Sequence, residues 1–131
     1  MTNLEEAKEF FAADRYATEV TGIEILEVDE HYAKCALNID GRHKNAVGHV
    51  MGGVIFTLAD FVFAVATNFA APSPTVTVTS SISYLASPRG NVLYGEAKLL
   101  KDGKRHCFYE ITIIDDLGTP VAIVTTNGAH L

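Results

Sequence analysis

The chain has 131 residues, 48% of them apolar and 20% charged, with a formal net charge of −6. That length suits one domain with a core of its own. With ten of its sixteen acidic residues in the first forty positions, the chain offers no basic face of the kind nucleic acid requires. The two cysteines, Cys35 and Cys107, lack the spacing of a zinc or redox pair. The opening MTNLEEAKEFF is acidic and has no cationic leader, so it does not read as a signal peptide. The longest apolar run, Val54–Ala66, is too short to span a bilayer and carries Asp60. A cytoplasmic protein with neither membrane nor nucleic acid as partner is expected.

From Thr2 to about Asp14 the pattern predicts a helix. Thr2 and Glu5 have capping-box spacing, and Leu4, Ala7, Phe10 and Phe11 form one apolar stripe. A strand is expected over Ile23–Val28 and another over Tyr32–Ile39, where Ala33, Cys35, Leu37 and Ile39 alternate with Tyr32, Lys34, Ala36 and Asn38. Asp40-Gly41 marks a turn. A loop from Asn45 to Met51 leads to the pair Gly52-Gly53. The run Val54–Ala66 then reads as a helix buried on every side, stopped by Asn68 and Pro72. Thr75–Leu85 alternates, with Val76, Val78, Ile82 and Tyr84 on one face and Thr75, Thr77, Thr79, Ser81 and Ser83 on the other. Strands over Val92–Leu100, His106–Ile114 and Val121–Ala129 follow, joined by turns at Lys101–Lys104 and Asp115–Gly118. The short connections make the last strands antiparallel neighbours. A helix apolar all round needs something to wrap it, and a curved antiparallel sheet of about six strands does so. The expected class is α+β, one domain over residues 1–131.

Two features in the central stretch carry chemistry. Glycines at a helix start leave backbone N–H groups bare, with the positive end of the helix dipole behind them. A lone carboxylate, Asp60, in an apolar helix is costly unless something needs it. Donors for a developing oxyanion together with one isolated acid make a hydrolytic site.

The same stretch reads N-x-x-G-x-x-[HM]-G-G-x-x-x-x-L-A-D, through Asn45, Gly48, Met51, Gly52, Gly53, Leu58, Ala59 and Asp60. With Ser80–Pro88 (SSISYLASP) and the D-x-x-G-x-x-V-A of Asp115–Ala122, the chain resembles the hot-dog-fold acyl-CoA thioesterases of the phenylacetic-acid-degradation (PaaI-like) branch. The resemblance implies hydrolysis of a small or medium acyl-CoA, aryl-CoA included, to free acid and coenzyme A. No cofactor is implied beyond the coenzyme A of the substrate. It also implies homodimers, often paired into homotetramers. By the same resemblance Asp60 matches the catalytic acid, Gly52 the glycine whose N–H polarises the thioester carbonyl, and Asn45 a residue that positions the carbonyl or water. Met51 stands where many members carry His.

Geometry adds one expectation of its own. Gly53 and Asp60 are two helical turns apart, hence on one face, but roughly 10 Å apart along the axis at about 1.5 Å per residue. An oxyanion donor and an attacking group must both lie within about 3 Å of one reacting centre. The glycine N–H of one subunit is therefore expected to work with Asp60 of another, across a two-fold interface. Whether Asp60 acts as general base or as nucleophile stays open.

Candidates for binding substrate are Gly53, Met51 and His49 around the motif loop. Thr77 and Ser81 are either substrate contacts near the helix or a plain solvent face. Coenzyme A brings phosphates to an acidic protein, so a local cationic patch is required. Five of the ten basic residues lie between Arg89 and Arg105, and Arg89 and Lys104 are the chosen candidates. His43 and His49 flank the loop without a carboxylate cluster, so no metal is expected. His106 and His130 show no partner, and Ser80, Ser81 and Ser83 lack the G-x-S-x-G elbow of a serine hydrolase. Two other classes are weighed. A non-catalytic acyl-CoA-binding or sensing module would not need the acid, which is retained. A hydratase would need a His on the central helix, which has none.

Overall fold

The computed structural model describes residues 1–131. Its frame is one antiparallel sheet in the order β1-β2-β4-β5-β6-β3. The strands are β1 (Ile23–Asp29), β2 (Tyr32–Asn38), β3 (Thr75–Tyr84), β4 (Val92–Asp102), β5 (His106–Asp115) and β6 (Pro120–His130). The helix α2 (Gly52–Asn68) lies against one face of that sheet, and α1 (Asn3–Phe11) packs at its β1 side. This is the wrapped-helix α+β arrangement expected from the sequence.

Alternation explains the inner face. Ala33, Cys35 and Leu37 of β2, Leu93 and Ala97 of β4, and Tyr109, Ile111 and Ile113 of β5 are buried, and they meet Leu58, Val62 and Val65 of α2. The helix can come this close because β4 has no side chain at Gly95. A Cβ there would lie 2.9 Å from Val62 and 3.1 Å from Ile113. Removing such a contact is felt: truncating Leu58 to Ala would cost about 2–5 kcal/mol.

Several boundaries move. α1 ends at Phe11, and a π-helical turn, Tyr16–Thr21, follows where no element was expected. α2 starts two residues earlier than expected, so Gly52 and Gly53 form its first turn. Its end is fixed by Asn68, whose amide accepts from Thr75 N–H at 2.8 Å and donates to Thr75 C=O at 3.2 Å. β4 runs to Asp102, into the expected turn.

Two expectations are corrected. First, α2 is not buried on every side of the protomer. Ile55, Leu58, Phe61, Val62, Phe63 and Val65 are inside, but Gly53 and Asp60 are exposed and Thr57 and Ala64 only half-buried. These four recur at helical spacing, so they form one open stripe. Second, β3 does not keep one apolar face. Its pairing with β6 slips between Thr77 and Thr79, leaving Val78 as a bulge. Such an extra residue reverses which side faces inward. Thr77, opposite Gly128, stays on the α2 side, as do Ile82 and Tyr84, whereas Ser81 pairs with exposed Thr125 and faces away. Val76 and Val78 are exposed.

The loop after β3 is gripped by the β5–β6 turn. Asp115, 1% exposed, accepts from Arg89 N–H at 2.7 Å and Gly90 N–H at 3.0 Å through one oxygen, and from Leu117 and Thr119 N–H at 3.0 and 2.8 Å through the other. Asp116 accepts from Asn91 and Val92 N–H. Burial alone would push the Asp115 carboxyl up. The backbone donors outweigh it and hold the carboxyl far below the usual carboxylate range. A depressed native value means that this stabilisation is complete at neutral pH and is lost as pH falls below about 4, where the unfolded carboxylate starts to bind its proton. Asp115→Asn keeps the shape but turns an NH2 group towards N–H donors. Thermal unfolding is expected to show a lower Tm for the variant at pH 7 and a gap to wild type that narrows as the buffer becomes acidic.

Candidate active site

The loop that delivers Gly52 is built by hydrogen bonds. The Asn45 carboxamide oxygen accepts from Val47 N–H and His49 N–H, both at 3.1 Å, and Asn45 N–H donates to His49 C=O at 2.8 Å. His43 is 2% exposed. Its Nδ1 accepts from Asp40 N–H at 3.0 Å, which leaves Nε2 to donate to Thr21 C=O at 2.7 Å. The His43 carbonyl accepts from Met51 N–H at 2.9 Å. His43 thus ties the loop to the end of the π-helical turn, a role no spacing in the sequence announces.

Met51 caps α2 without a side-chain hydrogen bond, and the N–H groups of Gly52 and Gly53 have no acceptor in the protomer. Tyr84 Oη donates to Gly52 C=O at 2.9 Å. A Cβ on Gly52 would meet that ring at 3.0–3.3 Å, so the position admits glycine because tyrosine covers it. Gly52, Val50 and Ile55 line a pocket of about 360 Å³ with Tyr84 and Leu85–Pro88. Arg89 is the next residue, exposed and in no ion pair.

Asp60 opens into a different cleft, of about 300 Å³, walled by Asp14–Ala17 and by Thr57, Phe61 and Ala64. Its carboxylate makes no hydrogen bond or ion pair in the protomer. It is open to solvent on one side, yet desolvation by its surroundings raises it above its ordinary value, and the charge of Asp14 adds to the effect. One chain therefore holds bare donors and acid in two clefts.

The remaining candidates scatter. Met51 and His49 are exposed beside Gly52; His49 contributes only backbone bonds to the loop, and the Met51 methyl lies 2.7 Å from where a Cβ on Gly53 would be. Thr77 lies in neither cleft, and Ser81 lies on the far side of the sheet. Lys104 lines a third cavity, of about 410 Å³, at the C-terminal end of α2. There His130, which the sequence left without a partner, accepts from Thr75 Oγ–H through Nδ1 at 2.7 Å and donates to Asp102 through Nε2 at 2.8 Å. This hydroxyl–imidazole–carboxylate chain faces the carbonyl end of the helix, which repels an oxyanion; it ties β3, β4 and β6 together. Cys35 and Cys107 are buried thiols; burial pushes Cys35 up to about 12, the opposite of a nucleophile's need.

The thioesterase superfamily model matches residues 47–122. The chain belongs to the thioesterase superfamily. It is 30% identical over 121 residues to an esterase of Archaeoglobus fulgidus described as putative, covering 92% of this chain and 78% of that protein. It is 29% identical over 103 residues to the acyl-coenzyme A thioesterase PaaI of Escherichia coli, covering 78% of this chain and 73% of that protein. The solved structure of the E. coli PaaI protein superposes with a TM-score of 0.89 at 22% identity, over 98% of this chain and 94% of that one. A hypothetical thioesterase of Streptococcus pneumoniae, solved with coenzyme A, superposes with a TM-score of 0.84 at 22% identity, over 95% and 96%. The chain is a PaaI-like hot-dog protein and a hydrolase of thioester bonds. No helix is long and apolar enough to cross a membrane.

The bond from Tyr84 to the Gly52 carbonyl gives a direct test. Tyr84→Phe removes a hydrogen bond of ordinary net worth, so Tm is expected to fall by a few degrees and kcat for thioester hydrolysis about two- to tenfold, Gly52 being held less firmly.

Proposed function

We propose that this protein hydrolyses the thioester of a small or medium acyl-CoA, aryl chains included, in the cytoplasm, at sites shared between two copies of the chain. The observation that carries the reading is the separation of the two working parts. The bare N–H of Gly52 and an unpartnered Asp60 sit in different clefts of one protomer. Two helices lying antiparallel about a two-fold axis would set each Asp60 against the other's first turn. The open stripe Gly53, Thr57, Asp60 and Ala64 supports this, because it leaves a face of α2 to which a second copy has access. So does β3, a ten-residue edge strand with no charge and no proline. Natural edges of that kind are covered or blunted.

In this arrangement the Gly52 N–H polarises the carbonyl and receives the oxyanion, at the positive end of α2. Asp60 either takes a proton from water or attacks the carbonyl carbon itself; in both cases the coenzyme A thiolate leaves. Asn45 acts through the loop it folds, and Met51 leaves the backbone donor intact without the side-chain bond a His would add. Arg89, beside the Gly52 pocket, is the candidate for the coenzyme A phosphates within one protomer; Lys104 lines a different cavity of that protomer and would have to serve from the second copy. Phe61, Ala64 and Tyr16 give the acid's cleft an apolar, partly aromatic wall, which suits an uncharged acyl group. Retention of the acid favours hydrolysis over a binding or sensing module. A pairing of dimers into tetramers is part of the same proposal.

Asp60→Asn is expected to lower kcat about 10²–10⁴-fold, the usual worth of a proton-transfer group; activity within a few-fold of wild type would refute the assignment. Gly52→Pro removes the donor at a helix position that accepts proline, after an extended Met51, and is made together with Tyr84→Ala, which also serves alone as the control, to clear the ring that a Cβ there would meet at 3.0–3.3 Å. Asp60→Asn and this double variant are each expected to be inactive alone, and co-expression of the two to restore hydrolysis, since the mixed dimer rebuilds one intact site. An active monomer by light scattering would overturn the shared site. A panel of short-chain, long-chain and aryl CoA thioesters, read as kcat/KM, would identify the acyl group, and Arg89→Ala is expected to raise KM across that panel.

A further inference from the structure

The cleft that holds Asp60 holds a second acid. Asp14 stands in its opposite wall, in the segment between α1 and the π-helical turn. What Asp14 does for the fold, it does with its backbone. Its N–H donates to Phe11 C=O at 2.9 Å, and its C=O accepts from Thr18 N–H and Thr18 Oγ–H, both at 3.0 Å. Its carboxylate is exposed and makes no hydrogen bond or ion pair. The neighbouring cation does not neutralise it: Arg15 is committed to Glu19 through two bonds, at 3.1 and 3.0 Å. Tyr16 and Arg15 are the other titratable groups in the cleft, and α2 contributes none besides Asp60. Two unpaired carboxylates facing one cleft repel each other, and the fold gains nothing visible from the second.

We infer that Asp14 belongs to this site as a positioning residue: its carboxylate closes the cleft opposite Asp60 and acts on the chemistry through that acid, rather than serving the fold of the N-terminal segment. The inference rests on the thioesterase reading of Asp60. A negative charge across the cleft makes the ionised Asp60 a more avid proton acceptor and a less content anion, which is what a base or nucleophile in a half-open site requires. Desolvation alone would act in the same direction, and Asp14 adds to it. The sign follows: with the charge of Asp14 removed, Asp60 gives up its proton at lower pH and is a weaker base once ionised.

The test is made on the full chain. In the first arm, the Asp60 side-chain carboxyl is followed by ¹³C NMR against pH, without substrate, in wild type, Asp14→Asn and Asp14→Glu. The midpoint is expected to move down in Asp14→Asn and to stay near wild type in Asp14→Glu. A midpoint unmoved in Asp14→Asn overturns the inference. In the second arm, kcat for a short-chain acyl-CoA is measured against pH. The acid limb of the Asp14→Asn profile is expected to shift to lower pH, with a lower plateau and an unchanged Tm. A uniform loss of rate with the limb in place, or a loss that tracks a fall in Tm, would make Asp14 a purely structural residue. Absence of thioesterase activity in the wild type would fall on the proposed function alone, since the titration arm reads the two carboxylates without any substrate.

Discussion

A carbonyl under attack must be gripped at its oxygen and approached at its carbon by groups only a few ångströms apart, and a straight helix cannot bend to satisfy that. α2 carries donors in its first turn and an acid two turns later, each opening into its own cleft. Much else in the molecule can be read as a response. The sheet covers the apolar side of α2 and leaves one stripe bare, with Asp60 in it. β3 lies at the sheet's rim with no charge to keep a second strand away.

The parts that hold the glycine end come from far apart in sequence. His43 anchors the loop from below and Asn45 folds it. Tyr84 reaches across from β3, and Asp115 and Asp116 hold the chain that forms the outer wall of the pocket. None of these groups needs to touch a substrate to matter. An N–H group is a useful electrostatic device only if it stays where it is while charge develops nearby, and each of these bonds removes a direction in which Gly52 could drift. The acid end is held differently. Asp60 has no hydrogen-bond partner, so its protonation is set by a thin shell of protein and by one other carboxylate.

The fold was legible because its periodicities are strong: α2 is apolar over its length, β2 and β5 alternate cleanly, and the turns are rich in Gly, Asp and Pro. Asp60 and the glycine pair stood out for the same reason, one charge and two missing side chains in an otherwise uniform run. What stayed hidden depends on contacts that spacing does not encode. The π-helical turn over Tyr16–Thr21 has no period of its own to detect. The partners of His43 and His130 lie 22 and 55 residues away in the chain. The openness of α2 along Gly53, Thr57, Asp60 and Ala64 could not be read from composition, because Thr, Ala and Gly are at home both in cores and at interfaces. The face of β3 was misread for a simple cause: one unpaired residue at Val78 reverses the count, and the Thr-Val repeat before it is as good a strand as the Ser-Ile-Ser-Tyr after it.

That irregularity has a bearing on how such a chain can change over time. Because Thr77 and Thr79 already face consecutive residues of β6, Gly128 and Asn127, loss of Val78 would make the ladder regular without turning the strand over. An added residue after Thr79 would instead turn Ile82 outward and carry the hydroxyl of Tyr84 away from the backbone oxygen it now covers. The length of this segment is thus coupled to the placement of Gly52, which Tyr84 touches directly, and natural insertions are to be sought in the turns at Lys101–Lys104 or Glu30-His31 rather than along this rim.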